Sequence, residues 1–196
     1  MLRYLALTAA VALAAPSTAF ASEWVIDQAH SEVGFKVKHL MVSNVRGRFG
    51  KFEGKLSLND KDVSKSTVEV SIDVGSIDTG NDKRDGHLKS PDFFAAGKHP
   101  RMTFKSTKVR AAGKGKLEVL GNLTIRGVTK SVVLMVEGPT DSIKDPWGNV
   151  KRGVSASTTI RRKDFGLKWN KLTEAGGVVV GDEVTIQLEI ELNKSA

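Results

Sequence analysis

Apolar and polar residues alternate along most of this chain with the two-residue period of a β-strand. Val33, Phe35, Val37 and His39 fall on one face, opposite Gly34, Lys36 and Lys38, as in a half-buried strand. Val68, Val70, Ile72 and Val74 repeat the pattern against Glu69, Ser71 and Asp73. So do Met102, Phe104 and Ser106, then Leu117, Val119, Gly121, Leu123 and Ile125, then Val154, Ala156, Thr158 and Ile160. The clearest strand is the last, where Val184, Ile186, Leu188, Ile190 and Leu192 oppose Thr185, Gln187, Glu189 and Glu191. Between Arg46 and Leu58 the phase changes: Val45 and Phe49 are odd-numbered, while Phe52, Leu56 and Leu58 are even. Gly50 at the change predicts a β-bulge. Ser131 to Val136 is apolar on both faces, which predicts cover on its outer side as well, from the helical insert described next.

One stretch, Arg84 to Ser106, interrupts the alternation with helical spacing before alternation resumes at Met102, and a short helical insert is predicted around residues 82–97. Ser90-Pro91-Asp92 reads as its start, because serine accepts a free N–H, proline needs no partner at the first position, and aspartate suits the helix dipole. Gly97 offers a stop. Phe93 and Phe94 either close one end of a β core or form the lid of a ligand entrance. Asn59–Ser66, Ala112–Gly115 and Arg126-Gly127 read as turns, Gly138–Asn149 as a long loop, and Arg161–Gly181 as irregular.

About eight strands, longer than the usual five or six residues, make this an all-β chain. Such strands with one apolar face each must stack as a sandwich or close on themselves, and closure removes exposed edges. An eight-stranded antiparallel barrel is therefore the predicted architecture. Its interior is wide enough to fill with side chains or to hold one slender ligand.

The first residues point to export. Arg3, the apolar run Leu5–Ala15 and the small-x-small site Ala19-Phe20-Ala21 read as a signal peptide over residues 1–21, with cleavage before Ser22. The expected address is the periplasm. Residues 22–196 form one predicted domain, and with Cys 0 that domain must rest on a sizeable core rather than on disulfides. The formal charge is +8, of which Arg3 contributes one. Lysines are scattered, and only Arg161-Arg162-Lys163 is dense. Nucleic acid is not an expected partner, whereas peripheral contact with an anionic membrane surface fits an exported basic protein. Association into a homodimer is left open.

Chemistry-bearing constellations are sparse. The four histidines, His30, His39, His87 and His99, have no metal-ligand spacing. Asp164-Phe165-Gly166 matches a kinase triplet without the accompanying phosphate loop or His-Arg-Asp, and reads as a turn with Phe165 inward. No Gly-x-Ser-x-Gly elbow occurs. Neither a metal, a cofactor nor a catalytic residue is called for. His39, on an apolar face, is either a strand-end histidine held by backbone or a donor to a ligand oxygen. A long lipid would suit the repeated apolar faces, since roughly 0.8 kcal/mol per methylene gives about 8 kcal/mol gross for ten carbons.

The ordered set His30-Ser31-x-Val33-x-Phe35-x-Val37-x-His39, Val45-Arg46-Gly47-x-Phe49, Phe52-x-Gly54, Arg84-Asp85-x-His87-Leu88-x-Ser90-x-Asp92-Phe93-Phe94, Pro100 with Phe104-x-Ser106, Gly121-x-Leu123-Thr124-x-x-Gly127-Val128-Thr129, Arg161 or Arg162 before Asp164-Phe165-Gly166, and Val180-Gly181-Asp182-Glu183-Val184 resembles the YceI-like polyisoprenoid-binding proteins. Ala95 and His99 depart from the pattern. The resemblance implies a lipocalin-like barrel, a periplasmic location and an amphiphilic isoprenoid, either a prenyl quinone or precursor or a polyprenyl phosphate, with its tail in the lumen. It does not imply catalysis. Strand alternation then supplies the ligand-facing set: Phe35, Val37, His39, Phe52, Val70, Ile72, Met102, Phe104, Ile160, Ile186 and Leu188, with Phe93, Phe94 and Phe165 near a mouth. Two other readings stand beside the carrier: an enzyme on such a lipid, using His39 or His87 as acid or base, and a filled barrel acting as an adaptor through its basic surface.

Overall fold

A computed structural model describes residues 21–174 and 176–195. The predicted signal peptide, but for Ala21, lies outside the described residues. Strands β1 (Ser22–Ile26) and β2 (Glu32–His39) make the first stave of a barrel, β3 (Ser43–Phe49) and β4 (Phe52–Leu58) the second, β5 (Thr67–Asp73) and β6 (Ile77–Asp78) the third. Five further staves follow: β7 (Arg101–Ala111), β8 (Lys116–Ile125), β9 (Val128–Glu137), β11 (Val150–Arg161) and β12 (Val180–Lys194). A two-residue strand, β10 (Ile143–Lys144), pairs with the start of β11. Every stave is antiparallel to the next in sequence. β12 closes the ring, pairing along one edge with β11 and along the other with β1 and β2. The result is the expected closed eight-stranded antiparallel barrel.

The first three staves break at one level rather than bulging. A 3-10 turn at Gln28–His30 separates β1 from β2, Gly50-Lys51 separates β3 from β4, and another 3-10 turn at Val74–Ser76 separates β5 from β6. The breaks satisfy one another. Gln28 Nε2 donates to the Gly50 carbonyl at 2.9 Å, and the N–H groups of Gly50 and Lys51 donate to Ser76 oxygens, each at 3.0 Å. The phase change at Gly50 therefore marks one member of a belt across three strands, which corrects the single bulge expected from sequence. A bulge adds a residue to one strand of a pair, whereas here three neighbours leave the ladder together.

The helix also differs from its predicted position. It is α1 (Asp82–Lys89), capped by the Asn81 side chain, which accepts the Arg84 N–H at 3.0 Å. Ser90 ends this helix with an extended ψ of 171°, because the residue before a proline is pushed out of the α region. Phe93 and Phe94 follow in turns rather than on a helix. The insert sits over one end of the barrel, called upper here, where α1 packs near β6 and the Arg126 guanidinium donates to the Phe93 carbonyl at 2.5 Å. It does not cover β9, whose outward Val133 and Met135 are exposed. The two-sided apolar character of β9 thus reflects an uncovered face, not a second layer.

Two inward glycines make room for rings. Phe35 lies directly across from Gly47, and a Cβ at Gly47 would stand 2.5 Å from that ring. A Cβ at Gly121 would strike Phe104 and fall 2.7 Å from the Lys105 carbonyl. At the lower end Trp24, Leu56, Leu58 and Leu192 form a separate buried cluster. Beside it the Lys151 ammonium lies 2.8 Å from Asp27 and 2.6 Å from Glu191, with both Lys151 and Asp27 side chains 14% exposed.

Gly121→Val should cost about 3 kcal/mol or more in urea unfolding, through overpacking against ring and backbone. Gly86→Ala, in an open helical position, should instead gain about 0.5–1 kcal/mol. Lys151, and after it His30, hold the Asp27 carboxyl well below its ordinary value of 3.8. A carboxyl lowered by folding adds stability above its unfolded value and surrenders it as pH falls through the folded one. Asp27→Asn should therefore be less stable than the parent at neutral pH, with the gap narrowing below about pH 4 in acid-titrated thermal melts.

Candidate functional site: the barrel lumen

The inward faces of the staves do not fill the barrel. They enclose a cavity of about 260 Å³, against roughly 10–15 Å³ for one water in the same measure. Among its lining side chains only Asn59, Asp60, Ser66 and Arg162 are polar. Of the residues predicted from alternation, Phe35, Val37, Val70, Ile72, Met102, Phe104, Ile160, Ile186 and Leu188 line it, as do Phe93, Phe94 and Phe165. Two do not. Phe52 is buried in the surrounding core beside the wall, paired with Ile72. His39 ends β2 beyond the lining, opposite Val180 and Ser43, and its ring has no hydrogen-bond partner among the described residues.

Alternation extended to every stave would have added Phe49, Leu123, Val132, Leu134 and Ile190, all of which line the cavity. Leu167 and Arg162 do so from irregular chain, where periodicity gives no signal.

The upper end is aromatic. Phe93 and Phe165 are buried there, and Phe93 packs against Trp169 with ring centroids 5.1 Å apart. His87 stands edge-on to both Phe93 and Trp169, at 5.0 and 4.9 Å, while its Nε2 meets Asp92 at 2.9 Å. His87 is tied into this outer cluster and does not line the cavity. Val37, Phe94 and Val180 remain only partly covered at the same end. Here β12 advances four positions, from Val180 to Val184, while β2 advances two, from His39 to Val37, and the ladder between them is interrupted.

Arg162 is the one buried cation on the wall, 4% exposed. It donates to the carbonyls of Gly181 at 2.8 Å, Leu167 at 2.6 Å, Trp169 at 2.8 Å and Val180 at 3.2 Å, and to Asp182 at 3.3 Å. Burial lowers its pKa from the ordinary arginine value, and Asp182 opposes that shift. The guanidinium is thus spent on fixing the 162–182 segment. The basic run expected from Arg161-Arg162-Lys163 is broken by this burial.

The lower end is covered by the Asn59–Ser66 turn, where Asn59 Oδ1 accepts the N–H groups of Lys61 and Asp62 and Val63 faces the cavity. Arg152 forks onto the Asp60 carboxylate at 2.6 and 3.1 Å and lies over the Trp24 ring. Outside the lumen, Asp27, His30 and Glu191 bring ligand atoms close together, but the Lys151 ammonium already bridges the two carboxylates.

Residues 24–192 match the YceI-like domain family. A UPF0312 protein of Vibrio parahaemolyticus is 42% identical over 160 residues, covering 81% of this chain and 84% of its own, and one of Shewanella putrefaciens is 40% identical over 160 residues, covering 81% and 83%. Among solved structures, a Campylobacter jejuni YceI protein is 34% identical with a TM-score of 0.69, covering 87% of this chain and 97% of its own. BcnA of Burkholderia cenocepacia aligns with a TM-score of 0.73 at 25% identity, covering 85% and 98%. A polyisoprenoid binding domain from Saccharophagus degradans shares the fold, with a TM-score of 0.64 at 18% identity over 88% and 98%. A closed barrel with an apolar lumen, matched by family along nearly its whole described length, makes this chain a member of the YceI-like family.

Proposed function

We propose that this chain is a periplasmic binding or carrier protein for an amphiphilic polyisoprenoid lipid, a prenyl quinone or its precursor or a polyprenyl phosphate, held tail-inward in the barrel. The observation that carries the reading is the cavity of about 260 Å³ whose wall is almost wholly hydrocarbon. A slender apolar chain replaces water there at roughly 0.8 kcal/mol per methylene, a gain large enough to exceed association costs without a charged pocket. The tail enters at the upper end, between the partly covered Val37, Phe94 and Val180. The solved Saccharophagus domain named as polyisoprenoid binding shares this fold, which supports the ligand class. Binding rather than turnover is the role assigned. The two histidines considered as acid or base, His39 and His87, lie off the lining, and the buried Arg162 is committed to carbonyls.

Protein purified from the exported fraction should release a stoichiometric isoprenoid lipid on extraction with organic solvent, identified by mass spectrometry. Protein that comes out empty and refuses added isoprenoid quinones would overturn the reading. Ala156, small and lumen-lining, offers a second test. Ala156→Phe should fold, at a stability cost of about 1–3 kcal/mol, yet weaken lipid binding at least about tenfold by filling the lumen.

A further inference from the structure

We propose that the upper end of the barrel is a docking surface for an anionic lipid bilayer, formed by two apolar loop tips with a basic rim. The first tip is the β2–β3 turn. Leu40 and Met41 both take left-handed backbone, with φ of 50° and 61°, the geometry of hairpin turns normally built from Asn and Gly because larger side chains are strained there. Here the turn carries Leu-Met-Val, and the side chains are turned out to solvent: Leu40 is 43% exposed, Met41 56% and Val42 81%. Turn chemistry and solubility both argue against these residues, so a local rule is broken at a place where a contact outside the chain would explain it.

The second tip is the neighbouring hairpin. Leu172, 78% exposed, bridges to Val178, and the Leu40 N–H donates to the Val179 carbonyl at 2.8 Å while the Val179 N–H donates to Lys171 at 3.0 Å. The two tips are thus fixed side by side. Around them Lys38, Arg46, Lys168 and Lys171 are exposed, and none joins an ion pair among the described residues. Of the nearby acids, Asp182 is taken up by Arg162 and Lys163, while Glu174 on the hairpin and the exposed Asp164 and Glu183 at its base stay outside the ion pairs among the described residues. Exposed aliphatic tips ringed by free cations match the headgroup boundary of a membrane carrying negative lipids.

The opposite end supplies a contrast. Trp147 and Ile143 are exposed there at 84% and 64%, but Asp141 and Asp145 flank them, and the Asp145 carboxylate accepts the Trp147 and Asn149 N–H groups. The apolar tips stand over the end of the cavity assigned above to lipid entry. Their purpose rests on that reading, but docking is measured without any cavity ligand, so either reading can fail alone.

The test uses the mature chain and vesicles of phosphatidylcholine with or without phosphatidylglycerol. Because the sequence contains Cys 0, Met41→Cys and Trp147→Cys can each carry a single environment-sensitive dye. The protein should sediment with the anionic vesicles, weaken in high salt, and show a blue shift from the dye at position 41 but not at 147. Leu40→Asn with Met41→Gly restores ordinary turn chemistry, so the barrel should remain folded while vesicle affinity falls at least about tenfold. Failure to sediment with anionic vesicles, unchanged binding by the double variant, or a dye shift at 147 alone would each overturn the proposal. A change in oligomeric state on tip replacement, with vesicle binding intact, would make the tips a self-association site and overturn it as well.

Discussion

Each stave of this protein has one greasy face and two rows of unpaired backbone groups, and a single strand resolves both demands. β12, fifteen residues long, pairs over its length with β11 on one edge and with β1 and then β2 on the other. Without that double pairing the sheet would keep two raw edges and its apolar face would meet water. With it, the faces converge on an interior that no residue among those described fills. Closure alone permits a filled or a hollow interior at eight strands, and here the side chains on the wall leave it hollow.

The two ends of the tube are finished differently, and the difference has physical sense. Below, the Asn59–Ser66 turn is locked by its own side chains and by Arg152 forked on Asp60, and a second small core around Trp24 backs it. Above, rings lean on one another at about 5 Å and the ladder between β2 and β12 is interrupted by two extra residues on β12. Aromatic contacts are individually weaker than charge-assisted forks. Arg162 compensates by tying the long 162–182 segment to itself, so that the loosely held rings rest on a firm rim.

Much of this was legible because the β period is strict. Alternation in β2, β5, β7 and β12 placed Phe35, Ile72, Phe104 and Leu188 on the lumen wall, and the same period names the other strand residues of the wall, though not those such as Val63 and Leu167 that come from irregular chain, while Phe52 falls beside the wall instead of on it. It went astray at His39, where the period continues one residue past the point at which the wall ends. The helix start was misplaced because two signals compete: Asn81-Asp82 and Ser90-Pro91-Asp92 both resemble caps, and the effect of Pro91 on its preceding residue decides between them. Gly50 marked a real irregularity, but a break shared with Gln28 and Ser76 depends on which strands are neighbours. Apolar residues on both faces of β9 implied a covering layer, and nothing in a one-dimensional pattern distinguishes covered from merely apolar. Gly121, read as one more position of an alternating strand, and Gly47 prove to be the space that two rings, Phe104 and Phe35, occupy.

Pairing between neighbours in sequence has a temporal corollary. Seven hairpin-like contacts are local, and each can form as soon as two consecutive strands exist, but the seam between β12 and the first stave joins residues some 150 positions apart, as in Ile186 against Phe35. Loop closure of that length comes late. Until it happens the molecule is an open, curling sheet with no inside. The hollow is thus the last thing this chain makes, and any occupant must arrive after the seam or be caught by its closing.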